Sequence, residues 1–312
     1  MGKDLKRPFI PINIMVELIF LGTSSMVPTK ERNHSSILMS FKGNYILIDC
    51  GEGTQRQLKI AGISASKITK ILITHWHGDH VLGLPGLIQT LAANDYEKVL
   101  EIYGPIGTKN KMGYMFKAFE FDQTRIKIEI KEITEGVFFD NNEFTLGTLP
   151  LEHGVPCLGY TFVEKDRRRI ELRKAEKLGL KEGPLLGKLQ EGEGVVVKGK
   201  KINPDDVSYV VKGKKISFVL DTLPCKNAYA LAENADLLVC EATYKADLEE
   251  KSSEYFHMTT KEAASIANKM NVERLIVTHL SARYKDAKEV EKEAQGLFYN
   301  VVCAHDFMKI KV

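Results

Sequence analysis

The amino-acid sequence predicts an α/β protein built from layered sheets, and three observations carry that expectation. Short apolar runs of strand character are interspersed with helical patterns along the whole chain. Hydrophobic residues make up 44% and charged residues 27%, the balance of a chain that fills a core and does not stay disordered. At 312 residues the chain is long enough for one large domain or for a domain carrying an insertion.

The first strand is expected over residues 16–21, closed by the turn-forming run Gly22-Thr23-Ser24-Ser25. A hairpin follows, residues 36–41 and 45–48, with Gly43-Asn44 at its corner. Residues 55–61 read as a short helix stopped by Gly62. Residues 70–74 form an apolar strand that runs directly into His75, and residues 84–93 a helix after it. Further strand-like runs stand at 100–103, 126–130, 217–220, 237–240 and 275–278, and helical patterns at 108–119, 259–270 and 285–294. No internal repeat is visible. No run reaches the about 18 apolar residues of a membrane span, so no membrane partner is expected. Pro8 and Pro11 interrupt the short apolar run near the start, which leaves no signal-peptide core. Lys6 occupies the position where a myristoylation motif opened by Gly2 needs Ser or Thr. A cytoplasmic location is the expectation.

Charge is unevenly distributed. The net charge is only +3, but residues 165–201 hold twelve Lys/Arg against six Asp/Glu, a net of +6, which leaves −3 for the remainder. The segment opens with Arg167-Arg168-Arg169 and a helical stretch to Leu178, then passes through Gly179, Gly183-Pro184, Gly187, Gly192, Gly194 and Gly199. It reads as a flexible protruding arm, and on composition alone the competing reading is a solvated surface loop. The five cysteines are odd in number, widely spaced and without a CxxC pair, so free thiols are expected instead of a disulfide framework or a cysteine zinc knuckle.

The strongest signal is His75-x-His77-x-Asp79-His80, placed just after an apolar strand. Imidazole and carboxylate both suit zinc, and three His and one Asp within six residues crowd a single tetrahedral ion but can serve two adjacent ones. Gly78 lets the loop turn between the pairs. Only eight histidines occur in the chain, so further ligand candidates are few. His153 follows Pro150-Leu151-Glu152, His279 follows Ile276-Val277-Thr278, and Asp221 follows Phe218-Val219-Leu220. Each repeats one design, an apolar strand and then a ligand, although a lone strand-end His or Asp is more often a capping residue.

This pattern resembles the metallo-β-lactamase superfamily over nearly the whole chain, from about residue 15 to 312, with residues 1–14 as an N-terminal extension. The resemblance implies an αββα sandwich and two zinc ions per subunit. His75, His77 and His153 would hold one ion, Asp79, His80 and His279 the other, and Asp221 would bridge them. Smaller motifs resemble one branch, the tRNase Z (ribonuclease Z) family of transfer RNA 3′ processing endonucleases. Pro28-Thr29-Lys30-Glu31-Arg32-Asn33 is similar to its PxKxRN loop. Glu241-Ala242-Thr243 is similar to its HEAT motif, with Cys240 in place of the first His, and His257-Met258-Thr259 to its HST-type motif. Gly183-Pro184-Leu185-Leu186-Gly187-Lys188-Leu189 is similar to the GP motif of its substrate arm. The implied substrate is precursor tRNA, gripped by Lys30, Arg32, Asn33, Arg167, Arg168, Arg169, Gly183, Pro184 and Lys188, and the implied assembly is a homodimer. No other protein partner is evident.

Cutting a phosphodiester needs a nucleophile, charge neutralisation and a proton for the leaving oxygen. Asp79 is the expected ligand and proton acceptor, and His257, supported by Glu241, the expected proton donor. His257 also precedes Thr259-Thr260-Lys261-Glu262, a helix-start pattern, and both readings can hold together. A two-zinc enzyme for a small phosphodiester, lactone or sulfate ester fits the ligands but leaves the basic arm and the PxKxRN-like loop without a use. A non-catalytic RNA-binding scaffold leaves the complete ligand set without one. A messenger-RNA processing nuclease would be expected to insert a further domain of about 100 residues, and none is visible.

Overall fold

Residues 15–312, which the computed structural model describes, pair their apolar runs into two seven-stranded sheets packed face to face; the expected extension 1–14 lies outside the described residues. The first sheet takes β1 (Glu17–Gly22), β2 (Ser36–Phe41), β3 (Asn44–Ile48), β4 (Lys70–Leu72), β5 (Val99–Gly104) and β6 (Lys127–Glu132) in that order. The β2–β3 corner is Lys42-Gly43, with φ of 46° and 80°, not the expected Gly43-Asn44. Two consecutive left-handed residues match the right-handed twist of the flanking strands, and Asn44 is already the first strand residue. From β3 to β6 the strands run parallel, so each connection must cross over. Helices Thr54–Ile60, Leu84–Ala93 and Thr108–Ala118 lie in those connections.

The second sheet holds β7 (Gly136–Asp140), β8 (Phe144–Leu151) and β9 (Cys157–Glu164), an antiparallel meander of which only a strand end before His153 was anticipated. The chain then leaves the sandwich through β10 (Arg167–Ile170), β11 (Val195–Val197), β12 (Lys200–Ile202) and β13 (Ser208–Val211). It returns as β14 (Lys215–Val219), antiparallel to β9, and continues through the parallel strands β15 (Leu237–Glu241), β16 (Leu275–Thr278) and β17 (Val301–Cys303). The last strand, β18 (Lys309–Lys311), crosses back to pair with β1.

Strand periodicity explains the layering. Leu18 and Phe20 of β1 point between the sheets, where they meet Ile37, Met39, Phe144, Tyr160, Phe162 and Phe218. Their neighbours Ile19 and Leu21 point outward and are covered by Leu84, Leu87, Ile88 and Leu91 of a crossover helix. With both faces buried, the strand reads as an unbroken apolar run instead of an alternation. The outer face of the second sheet is covered likewise, by Ala263, Ala264, Ile266 and Ala267 of helix Thr260–Lys269. The result is the αββα sandwich.

The inserted segment departs from the sequence expectation in three respects. Arg167–Arg169 sit on a strand paired with β13, not at the start of a helix, and the structure built on them runs past residue 201 to Val211. It is also a folded module with its own apolar centre: Ala175, Leu180, Leu186, Leu189, Val195, Ile202 and Val207 pack together. Its neck is narrow. The Glu164 amide donates to Lys214 O at 2.8 Å, and a Cβ on Gly213 would stand 1.8 Å from Glu164 O, so only glycine lets the two strands of the neck pass this closely.

All five cysteines are free and buried. Burial pushes the thiols of Cys50 and Cys303 up to about 12. The native protein is therefore expected to leave a thiol-exchange reagent unreacted until it unfolds and then release five equivalents. Its thermal midpoint should not move on addition of reductant; rapid native-state labelling, or a midpoint lowered by reductant, would contradict this packing.

Candidate metal centre

The parallel strands β3, β4, β15 and β16, with β14 beside them, deliver their C-terminal ends to one edge of the sandwich, where open α/β sheets place ligands. Beyond β4 the chain stays extended to His75, and a single helical turn, Gly78–Val81, folds Asp79 and His80 back toward it. The turn packs tightly: a Cβ on Gly51 would stand 2.5 Å from Asp79 O. Asp49, Asp221 and His279 follow β3, β14 and β16 with φ of 58°, 42° and 60°. That left-handed conformation costs an L-residue on the order of 1–3 kcal/mol, and here it turns each strand end back on itself.

All seven expected ligands come together. His75, His77 and His153 form one group and Asp79, His80, Asp221 and His279 a second, with the ligand atoms of each group within 4.8 Å of one another. His153 Nε2 lies 3.1 Å from His77 Nδ1, and His80 Nε2 3.2 Å from His279 Nε2. Asp221 reaches across both groups, with Oδ2 at 3.7 Å from His75 Nε2 and 3.4 Å from His80 Nε2 and Oδ1 at 3.3 Å from His279 Nε2.

Hydrogen bonding outside the centre assigns the tautomers. Thr74 Oγ1 donates its proton to Asp49 Oδ2 at 2.8 Å, so it can only accept from His75 Nδ1 at 3.0 Å. Thr243 Oγ1 donates to Glu241 Oε2 at 2.6 Å and by the same logic accepts from His279 Nδ1 at 2.9 Å. His80 Nδ1 donates to Asp49 Oδ2 at 2.7 Å, and His153 Nδ1 to Phe256 O at 2.9 Å. Four imidazoles are thereby assigned a proton on Nδ1, which turns each Nε2 inward, the atom that binds metal when it carries no proton. His75 Nε2, Asp79 Oδ1 and Asp221 Oδ1 are buried with no hydrogen-bond partner among the described residues. Orphaned atoms of these types pointing at shared points fit a metal centre. Burial, helped by His80, holds His75 well below the usual imidazole range and so neutral. Burial works against the charged carboxyl of Asp79, but the neighbouring His80 and His279 outweigh it and hold the group well below the usual carboxylate range.

Asp49, Thr74 and Thr243 were not anticipated. Asp49 carried a signal, because it follows Ile46-Leu47-Ile48 in the same strand-then-acid pattern as Asp221, and Thr243 lies within the HEAT-like motif; Thr74 carried none.

Glu241 and His257 adjoin the second group. His257 Nδ1 lies 3.1 and 3.2 Å from the two oxygens of Glu241, a fully buried carboxylate that also accepts from the Thr222 amide at 2.7 Å. Burial opposes a charge on His257, but Glu241, with Asp221 and Asp79, outweighs it and raises the imidazole to about 9. Thr259, two residues on, caps helix Thr260–Lys269 in a capping box with Glu262, so this segment is a helix start as well as a site element.

The residues expected to grip substrate divide. Lys30 is exposed at a loop tip. Arg32 is buried, and its guanidinium donates to Ser281 O at 3.3 Å and Tyr284 O at 2.8 Å, so it fastens its loop to the segment after His279 and is not available to a phosphate. Asn33 is likewise committed, its amide to Asp306 Oδ2 at 2.8 Å and its side chain to Glu52 O at 2.7 Å. Arg32 is thereby corrected from a substrate contact to a loop anchor, while the half-buried Asn33 anchors the same loop. Arg167, Arg168, Arg169, Gly183, Pro184 and Lys188 lie on the inserted module, where Arg168 is paired with Asp205 at 2.6 Å and Arg169, Gly183, Pro184 and Lys188 are exposed.

Comparison with known proteins agrees with this geometry. Residues 189–280 match the family described as "Beta-lactamase superfamily domain", and residues 16–112 match "Anti-Pycsar protein Apyc1". The chain is 43% identical over 305 residues to ribonuclease Z of Methanothermobacter thermautotrophicus, covering 96% of this chain and 97% of that protein. It is 40% identical to ribonuclease Z of Archaeoglobus fulgidus, covering 96% and 98%. The crystal structure of human tRNase Z, short form, superposes with a TM-score of 0.69 at 27% identity, covering 94% of this chain and 98% of that one.

Two substitutions separate ligation from support. Asp221→Ala should lower the metal bound per chain, because its carboxylate faces both groups; full retention, measured by elemental analysis, would show that it ligates nothing. Asp49→Asn keeps the shape but weakens the hold on His80, and metal affinity measured by competition with a chelator should fall about 10–100-fold.

Proposed function

The chain belongs to the ribonuclease Z family, and on that premise we propose that it is a zinc-dependent endoribonuclease that cuts precursor tRNA 3′ of the acceptor stem. It removes the 3′ trailer and leaves a 3′-hydroxyl. The observation that carries this reading is the adjacency of a complete seven-residue ligand set to a buried Glu241–His257 pair.

The donor set suits two zinc ions: His75, His77 and His153 would hold one, Asp79, His80 and His279 the other, and Asp221 would serve both. Bound there, they would neutralise charge on the scissile phosphate and make water nucleophilic near neutral pH. Asp79 offers a carboxylate oxygen without a partner, Oδ1, to accept the proton of the attacking water. Glu241 holds Nδ1 of His257 and keeps that imidazole protonated, so Nε2 presents the proton that the leaving O3′ needs. The basic inserted module supplies phosphate contacts that grip RNA without reading sequence, which suits a substrate recognised by the shape of its A-form stem. Family membership supports a homodimer in which one subunit's module presents the substrate to its partner's centre, and a tRNA-processing role supports a cytoplasmic site of action. No helix among the described residues is long and apolar enough to cross a membrane.

Incubation with a 3′-extended precursor tRNA, with the cut mapped to the nucleotide, tests the activity directly. His257→Ala should retain its metal yet cleave about 10²–10⁴-fold more slowly; a normal rate would leave His257 a purely structural residue. Because β9 and β14 pair directly below the neck, replacing residues 166–212 with a short linker should leave the sandwich folded. That variant should still hydrolyse a small chromogenic phosphodiester, bind precursor tRNA weakly, and show a shallower dependence of affinity on salt. Normal binding and cutting of precursor tRNA by it would remove the module from substrate recognition.

A further inference from the structure

Four residues around the metal centre hold a left-handed backbone without being glycine: Asp49, Asp221, His279 and Phe256, the last with φ of 58°. Aspartate tolerates that conformation better than most residues, but for a bulky side chain it is an outlier that asks for a reason. For the first three the reason is the side chain, which ligates or supports a ligand. At Phe256 the turn serves the backbone: Phe256 O accepts from His153 Nδ1 at 2.9 Å, and the Phe256 amide donates to Ser253 O at 3.3 Å. Glycine or asparagine would make the same turn with less strain, and neither would leave an apolar ring in water. Phe256 is 42% exposed. It stands edge-on to His153, centroids 6.5 Å apart at 87°, and a Cβ on Gly154 would meet its Cδ2 only at 3.7 Å. An accessible aromatic ring is thus held at the rim of the centre, one residue from His257.

We propose that Phe256 is the stacking surface for the nucleobase on the 5′ side of the cut. This rests on the reading of the chain as a precursor-tRNA endonuclease. The side follows from the chemistry. Water attacks phosphorus, the P–O3′ bond breaks, its electron pair stays on O3′, and the phosphate departs with the trailer. The imidazole that protonates O3′ must lie beside the ribose that carries it, and Phe256 is the preceding residue in the chain. The base within its reach is the one on that ribose. An aromatic ring accepts any base on its π-face, so the contact positions the nucleotide without selecting sequence, as an enzyme acting on many tRNAs requires. Phe256 is in this account a positioning residue that touches substrate, and the strain of its backbone fixes where the ring stands.

The test compares wild type, Phe256→Asn and Phe256→Trp on two precursors, one intact and one with an abasic ribose 5′ of the cut. On the intact precursor Phe256→Asn should lose about 10–100-fold in kcat/KM, the scale of one lost base–aromatic stack, and Phe256→Trp should stay within a few-fold of wild type. The abasic precursor should be cut equally slowly by wild type and Phe256→Asn. Phe256→Asn should keep its metal and its thermal midpoint, because asparagine suits the turn. Wild-type rates in Phe256→Asn, or the same loss on both precursors, would overturn the stacking role and leave the ring structural. A wild-type protein that cuts neither precursor would instead overturn the endonuclease reading, and this inference with it.

Discussion

His75, Asp79, His80, Asp221 and His279 lie almost wholly out of water at the edge where the two sheets meet, with His77 and His153 completing their circle. Stripping water from imidazoles and carboxylates costs several kcal/mol per charged group, and protein neighbours restore only part of it. Asp49 alone accepts from the Thr74 amide, the Thr74 hydroxyl and His80 Nδ1. Thr243, Glu241 and the Phe256 carbonyl do the same for the opposite side. These partners fix ring orientation as well as charge, so the lone pairs that remain have nowhere to point but inward. The fold around them follows from the need to bring the ends of β4, β8, β14 and β16, and the supporting groups after β3 and on β15, to one place and hold them there.

A double-layered sandwich meets that need because its strands cannot slide. The central strands of the two sheets are covered on both faces, by the opposite sheet on one side and by helices on the other. A shift of one residue would turn an entire apolar set the wrong way. Rigidity of this kind lets Asp49, Asp221 and His279 keep a backbone conformation that an isolated peptide would abandon. The inserted module stands apart from this arrangement. It has its own apolar centre and joins the sandwich through one narrow neck beside Gly213. A basic surface can therefore be carried on the chain without adding its positive charge to the desolvated centre.

Several residues serve structure and site together. Arg32 was read from its motif as a substrate contact, but its guanidinium clamps two carbonyls of the segment after His279. Its effect on the centre is through the position of that segment. Thr259 caps a helix whose first turn directs the preceding His257 toward Glu241. Effects of mutating such residues on activity are to be expected even where no atom meets the substrate.

The sequence by itself indicated the α/β class with layered sheets and singled out the seven His and Asp residues that the structure gathers, together with the neighbouring Glu241 and His257. Long apolar runs ending in His or Asp are local features, and a strand buried on both faces advertises itself as an uninterrupted run. Most of residues 136–164 escaped notice because the strands there interleave glycine, threonine and aspartate with aromatic residues, so no continuous run stands out. The closing half of the inserted module escaped because its partner in pairing, Arg167–Ile170, lies about 40 residues upstream by the register of Ile170 on Ser208. Only the tertiary structure decided that Asp49 holds His80, that Arg32 turns inward, and that Phe256 stands strained and exposed beside His153. Each of these depends on which atoms from distant segments arrive at hydrogen-bonding distance, and residue type and spacing along one chain do not encode that distance.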